Sequence, residues 1–308
     1  MAEMLLGPSV VSNGFCRQLG EANKLEKIPV SGKHFLAMRL DKPSSIKNLG
    51  KSIAKPLSWL ACLPVFYKPS RVINIYWNCL VGKGSGGWYM HAEVRAAVER
   101  IKRPNPIVFD VGANVGNWTQ GVLASLPAAK VYMFEPSPGC QKTIRDKAFP
   151  GVTLFPFALG EKTETKDYYS SSETDGSASL YARRDTPFQD LPYSQAKVMV
   201  RTLDEVIESE KIDFVDFMKM DIEGHELFAL RGAKNSLAAG KIGALSFEFG
   251  CGNINSRTFF RDFWELLTAA HFAIYRIKPQ GKDMLVEDYY EDAEYFQGAT
   301  NFVAVLKK

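Results

Sequence analysis

The residues in this sequence that could do chemistry gather just after short apolar runs. The first group is Asp110-Val111-Gly112-Ala113-Asn114-Val115-Gly116-Asn117-Trp118, after Ile107-Val108-Phe109. Gly112 and Gly116 let the backbone turn sharply and approach a ligand without a Cβ in the way. A helix opening there offers free backbone N–H groups. Dinucleotide turns use G-x-G-x-x-G, which serves a pyrophosphate. Here the spacing is G-x-x-x-G, with the carboxylate of Asp110 before it. That carboxylate suits a cationic amino group better than a phosphate. The turn therefore points to the aminoacyl end of S-adenosylmethionine (SAM) ahead of a dinucleotide.

Glu135 comes next, in Met133-Phe134-Glu135-Pro136 at the end of the run Lys130–Phe134. A carboxylate at a strand end can accept hydrogen bonds from both hydroxyls of a ribose. The third group is Lys219-Met220-Asp221-Ile222-Glu223-Gly224-His225-Glu226, after Phe214–Met218. Three carboxylates and an imidazole within six positions are costly to fold unless solvated or functional. Asp221 is placed to face a cofactor. Glu223 and His225 could orient or deprotonate a hydroxyl. Glu223 and Glu226 have a plainer alternative as charges complementing a helix N-terminus, and for Glu226 that reading prevails. His225 could equally be an ordinary surface histidine of a helix. Glu248, in Ser246-Phe247-Glu248-Phe249, ends a further run and could face Asp221 across adjacent strand ends. Such a pair could hold Mg²⁺ or contact substrate hydroxyls. No third ligand is evident, so no metal site is assigned.

The elements that must position these groups follow from apolar patterning. Strands are expected at 107–109, 130–134, 152–157, 214–220, 242–249, 273–277 and 302–306, with helices between several of them. Thr202-Leu203-Asp204-Glu205 reads as a capping box. Helices are expected over His225–Ala239, stopped by Gly240, and over Ser256–Ala270, with Phe260, Phe263, Trp264 and Leu267 facing the core. Alternating buried strands and helices make an α/β fold, a mainly parallel sheet with helices on both faces. Its ligands bind at the carboxyl ends of the strands. Residues 1–56 read as an irregular extension, and a helix is expected from Met90 to Ile101. The boundary falls near 80, with a basic extension over 1–80 and the catalytic domain over 81–308. Gly82–Gly87 lacks the spacing of a phosphate-binding loop and reads as a connector, or alternatively as a hinge.

Residues 1–100 hold 14 Lys/Arg and 6 Asp/Glu, and the remainder holds 24 and 28. The catalytic part is therefore slightly acidic, which argues against a nucleic-acid groove across it. The cysteines, Cys16, Cys62, Cys79, Cys140 and Cys251, form no CxxC and are odd in number. A disulfide framework or zinc site is not expected, and a cytoplasmic setting fits. No secretory signal is visible. The apolar stretch Leu57–Tyr67, flanked by Lys55 and Lys68, is far too short to span a bilayer. It reads as a buried or partner-facing segment, with contact at a membrane surface as the alternative.

Taken together, Phe109–Gly116, Phe134-Glu135-Pro136, Arg201-Thr202-Leu203-Asp204, Lys219–Glu226 and Leu230-Arg231-Gly232-Ala233 resemble the FkbM family of SAM-dependent methyltransferases. The resemblance covers about residues 88–307. It implies a class I methyltransferase fold, Rossmann-like, with a seven-stranded sheet and one antiparallel strand near the C-terminus. It also implies O-methylation of a sugar, glycan or natural-product hydroxyl. Family cofactor positions fall on Asp110, Gly112, Asn114, Gly116 and Glu135. With Ala113, Asn117, Pro136, Ala158 and Asp221 these complete the expected cofactor set. The family's acidic segment falls on Asp221 and Glu223, and no family role passes to His225. The catalytic candidates are Asp221, Glu223, His225 and Glu248. Acceptor specificity is expected in Glu161–Ala196, in the extension and around Gly281–Gly298. Tyr168, Tyr169 and Ser170-Ser171-Ser172 could hydrogen-bond a sugar, but are read first as solvated loop and hairpin residues. A nicotinamide-dependent oxidoreductase would need the absent G-x-G-x-x-G turn. A non-catalytic SAM-binding protein has no evident use for the acidic segment.

Overall fold

A computed structural model describes residues 51–307, except Ile53, Pro56, Leu60, Ser85, Gly87, Trp88, residues 184–191, Phe296 and Gln297. Of the irregular extension expected over residues 1–56, residues 1–50, Cys16 among them, lie outside the described residues, and the described residues from Lys51 to Lys55 are helical instead. The chain divides into two compact units, Met1–Ser58 and Trp59–Lys308. Described residues between Lys51 and Ser58 in the first unit are helical.

The second unit starts well upstream of the boundary expected near residue 80. It contains α1 (Pro64–Leu80), after which Gly84 N donates to Thr300 Oγ1 (2.8 Å) of the sheet-bearing body. There follow α2 (Met90–Arg100), β1 (Ile107–Val111), α3 (Asn117–Ser125), β2 (Lys130–Phe134), α4 (Pro138–Lys147), β3 (Val152–Phe155) and β4 (Ala158–Leu159). Next come β5 (Glu164–Ser170), β6 (Ser194–Arg201), α5 (Leu203–Ser209), β7 (Phe217–Met220), α6 (Glu226–Arg231), α7 (Lys234–Ala238) and β8 (Ala244–Gly250). The chain closes with α8 (Cys251–Ser256), α9 (Phe260–Ala269), β9 (Phe272–Arg276), β10 (Met284–Leu285) and β11 (Ala299–Leu306).

The main sheet has the order β10-β9-β11-β8-β7-β1-β2-β3. Strands β3, β2, β1, β7 and β8 run parallel, and β11 runs antiparallel to both β8 and β9. This is the expected seven-stranded class I methyltransferase sheet. The two-residue strand β10 pairs antiparallel on the outer edge of β9 as an eighth strand, which the sequence pattern does not announce. The chain leaves β1 toward β2 and β3, then returns to β7 and β8 on the other side of β1. The order therefore reverses between β1 and β7, where an open α/β sheet forms its ligand crevice.

The register aligns the chemistry. Val111 pairs with Phe134 on one side and with Met220 on the other, and Met220 pairs with Phe247. The next residue of each strand is Gly112, Glu135, Asp221 or Glu248. Apolar runs buried on both faces explain why these strands lie at the centre: Val108, Phe109, Val131, Met133, Phe217 and Leu245 are all fully buried.

Two expected helices are broken. His225–Ala239 splits into α6 and α7 because Gly232 is pressed against the Gly160 backbone and its carbonyl accepts from Asp204 N. The Asp204 carboxylate then accepts from Asn235 N (3.0 Å) and Ser236 N (2.9 Å), capping α7 from α5. Ser256–Ala270 begins only at Phe260, where the Glu294 carboxylate accepts from Phe260 N (2.8 Å) and Arg261 N (3.0 Å). Both breaks come from distant carboxylates that local periodicity cannot register. The capping box at Thr202 and Glu205 forms as expected.

Glu161–Ala196 includes a hairpin. β5 and β6 pair antiparallel, and β4 joins β6 to make a second, three-stranded sheet. Tyr168 is not solvated as expected: it is 8% exposed on the inner face of this hairpin. No helix among the described residues is long and apolar enough to cross a membrane. Among the described residues, Cys62, Cys79, Cys140 and Cys251 form no disulfide with one another.

Candidate active site

A cavity of about 460 Å³ opens at the crevice between β1 and β7, within the usual size of a small-ligand site. Of the expected cofactor set, Gly112, Ala113, Asn114, Asn117, Glu135, Pro136, Ala158 and Asp221 line it, and Glu223 and His225 join them. Two members of that set do not. Asp110 is fully buried behind the wall, where it accepts from Thr119 Oγ1 (2.7 Å) and faces Lys219 Nζ (3.7 Å). Its side chain points off the sheet into packing because its neighbour Val111 takes the other direction. Gly116 has φ +81 and caps α3 while packing on Phe149. Its role is conformational, and its neighbours Val115 and Asn117 form the wall.

The turn at Gly112 is built by close approach. Gly112 has φ +78, and a Cβ there would collide with the Asp221 carbonyl. Asp221 N donates to Val111 O (3.0 Å), joining the turns after β1 and β7. Glu135 is 4% exposed. Its Oε2 accepts from Asn114 N (2.8 Å) and its Oε1 from Ser137 N (2.8 Å). A carboxylate oxygen has two acceptor sites, so each oxygen keeps one. Burial pushes the Glu135 carboxyl up to about 7, against the pull of those two amides. Trp118, 3% exposed, lines the cavity with an indole N–H that meets no acceptor among the described residues.

On the other side of Gly112, Lys219 Nζ lies 3.2 Å from Asp221 Oδ2. Glu223 has φ +53 and Gly224 φ +98. Gly224 is pressed against the Gly252 backbone, which holds this turn in its strained shape. Glu226, 1% exposed, accepts from Ile222 N (2.9 Å) and Gly224 N (3.2 Å) through Oε1. It is thus a buried clamp on the turn, which explains the residue better than an exposed charge at a helix end. Burial pushes its carboxyl up to about 8.

Arg183 Nη1 donates to Glu223 Oε2 at 2.5 Å. Burial and the nearby Asp221 charge push the Glu223 carboxyl up to about 7, while Arg183 pulls it back. His225 is 2% exposed, stacks on Phe228, and shares a 2.8 Å hydrogen bond between Nδ1 and the Tyr181 hydroxyl. Burial drives its pKa down to about 3, so the ring is neutral and weakly basic at ordinary pH. That argues against a base role for His225 and equally against a surface histidine. Glu248 is off the cavity wall, but single carboxylate oxygens of Asp221, Glu223 and Glu248 lie within 4.8 Å of one another. Glu223 is therefore the third acid that was missing from the sequence pairing of Asp221 with Glu248. Burial and its acidic neighbours hold Glu248 well above the usual carboxylate range.

Glu93 and Asp175 are wall residues that the sequence reading misses. Glu93 on α2 lines the cavity, accepts from Asn301 Nδ2 (2.5 Å), and is pushed up to about 8 by burial. Asp175 arrives from the hairpin together with Tyr168, which the sequence offers as a sugar contact only in second place. Asp175 accepts from the amides and hydroxyls of Ser171 and Ser177, which shape its loop. A lone Glu in an amphipathic helix has no local signal. The cluster of Ser and Asp around 170–177 was the available hint.

A family model described as the methyltransferase FkbM domain matches residues 110–285. The chain belongs to the FkbM methyltransferase family. FkbM membership and the fold imply SAM as the methyl donor. This FkbM chain is similar to 2-O-methyltransferase NoeI from Sinorhizobium fredii, at 25% identity over 46% of this chain and 63% of that protein. It is also similar to hexuronic acid methyltransferase AglP from Haloferax volcanii, at 29% identity over 47% of this chain and 56% of that protein. It thus spans less than two thirds of the length of these curated relatives. Among solved structures it is similar to the METTL16 methyltransferase domain, with TM-score 0.39 and 12% identity over 70% of this chain and 64% of that one. Strand order, not likeness at that level, carries the fold assignment.

Proposed function

We propose that this chain is an O-methyltransferase acting on a hydroxyl of a sugar or glycan, with SAM as donor. The carrying observation is that Glu135 and the acids Asp221 and Glu223 flank Gly112 on the wall of one cavity. The names of NoeI and AglP, a 2-O-methyltransferase and a hexuronic acid methyltransferase, support a sugar acceptor.

The residues suit SAM. Glu135 keeps one acceptor site per oxygen for the two ribose hydroxyls, and Trp118 has an unused donor. Asp221 and Glu93 face the cavity and take the amino-group role first expected of Asp110. When bound, SAM supplies a methyl group on a positively charged sulfur. The chain's part is to align the acceptor, exclude water and accept a proton. Glu223 is the base: as the acceptor oxygen takes the methyl, its proton passes to the Glu223 carboxylate. A base with a pKa near 7 is well matched to neutral pH. Arg183 aims that carboxylate and Asp221 positions the acceptor. No metal enters this reading, because the Arg183 guanidinium already supplies the positive charge beside Glu223.

Calorimetric titration with SAM and with NAD⁺, then transfer of radiolabelled methyl to sugar acceptors, tests the proposal. Binding of SAM and labelling of a glycan hydroxyl are expected, unchanged by a chelator. Binding of NAD⁺ alone would overturn the donor. Activity lost to chelator and restored by Mg²⁺ would reassign the three acids as a metal site.

A further inference from the structure

We infer that α1 is a docking element for a membrane surface rich in anionic lipid. At 100° per residue, Val65, Phe66, Val72, Ile73, Trp77 and Leu80 fall within an arc of about 140° on one side of this helix. They are between 45% and 69% exposed. The rest of the circumference carries Lys68, Ser70, Arg71, Asn74 and Asn78, together with Tyr67, Ile75 and the buried Cys79. The helices packed on the sheet do the opposite: Phe260, Phe263 and Leu267 of α9 are fully buried. An apolar helix face left this open marks an interaction site.

Charge selects the occupant. The charged residues of α1 are Lys68 and Arg71, with no Asp or Glu along the helix. A second copy of α1 would bring the same two positive charges to the contact and no acid to pair with them. An anionic bilayer surface meets both halves of the helix: the apolar side enters the boundary of the acyl chains while the cations stay at headgroup depth. Trp77 belongs to the side chains that favour this interface. At 17 residues α1 is about 25 Å long, and its two cations suit it to lying in the surface.

The helix is rooted beside the catalytic cavity. Cys79 is buried, Lys83 N donates to Asn78 O (2.8 Å), and Gly84 N donates to Thr300 Oγ1 (2.8 Å). Gly82, at φ +78, packs so close to Ile277 that a Cβ would lie 2.6 Å from its carbonyl oxygen. Gly86, six residues past Leu80, lines the cavity. A docked α1 therefore holds that wall of the cavity near the lipid headgroups.

Cosedimentation of the full chain with vesicles tests this without reference to methyl transfer. Equal parts phosphatidylcholine and phosphatidylglycerol should bind the protein at least about tenfold more tightly than phosphatidylcholine alone, and salt should weaken the binding. The pairs Ile73→Glu with Trp77→Ser, and Lys68→Glu with Arg71→Glu, should each weaken it about tenfold, with melting temperature unchanged. No preference of the native chain for the anionic vesicles overturns the inference. So does binding that both pairs leave intact. A dimer of the native chain that Ile73→Glu disperses, without vesicle binding, overturns it in favour of a second copy.

Discussion

Arg183 reaches from the loop of the β5–β6 hairpin to place its Nη1 2.5 Å from Oε2 of Glu223, forty residues later in the turn after β7. The Arg183 side chain is 1% exposed and that of Glu223 17%. The guanidinium restrains a carboxyl that burial and Asp221 would otherwise push higher still. It therefore sets both the direction and the proton affinity of the proposed base.

Glu223→Gln should lower kcat by ~10²–10⁴, the usual contribution of a positioned base, with SAM affinity nearly intact. Arg183→Met should move the acidic limb of the pH–rate profile upward from about 7, since the cation that favours the ionised form is gone. It should also cost ~3–5 kcal/mol of stability, as for a buried pair that loses one partner. His225→Gln should leave that limb where it is, because the imidazole does not titrate there. Turnover measured across pH checks all three, and an unchanged kcat in Glu223→Gln would remove Glu223 from the reaction.

Binding of SAM should depend on pH through Glu135. Hydroxyls donate to the ionised carboxylate, so binding favours loss of the proton held up to about 7 in the free protein. Affinity should rise as pH increases through that value. Glu135→Gln should bind weakly and lose this rise. Calorimetry at pH 6 and pH 8 measures both.

Gly112→Ala should be harmful beyond its size. Its φ of +78 carries a strain of ~1–2 kcal/mol for any L side chain. The added methyl would also push the Asp221 carbonyl and part the turns after β1 and β7. A lower melting temperature together with loss of SAM binding is expected. A variant that binds normally would show that the contact can relax.

Glu226→Gln should stabilise at alkaline pH. The folded-state pKa of about 8 lies above the ordinary value near 4.5, so the folded protein holds more protons between those limits. Stability from this group is complete below about 4.5 and is lost as pH rises toward 8. Glutamine keeps the acceptor for Ile222 N and Gly224 N without the charge. The variant should match the native protein near pH 4 and melt above it at pH 9.

Much of this architecture was legible without coordinates. Short apolar runs placed the central strands within a few residues, and the Thr202 capping box marked the start of α5 because both partners lie within one turn. Helices at 225–239 and 256–270 were read too long because Asp204 and Glu294 cap them from other elements. Tyr168 was read as solvated because alternation in a hairpin says which residues share a face, not which face is covered.

The sequence by itself determined the order of the seven principal strands of the main sheet, the strand-end placement of Gly112, Glu135 and Asp221, and the family. Those are properties of nearby residues, carried by turn chemistry and apolar period. Only the tertiary structure decided which acids meet. It turned Asp110 into the buried core beside Thr119, brought Glu93 from α2 to the cavity wall, set Glu248 near Asp221, and delivered Arg183 to Glu223. Such pairings depend on sheet register, on which face of a strand is buried, and on where a long hairpin folds back. No local pattern of residues encodes those distances.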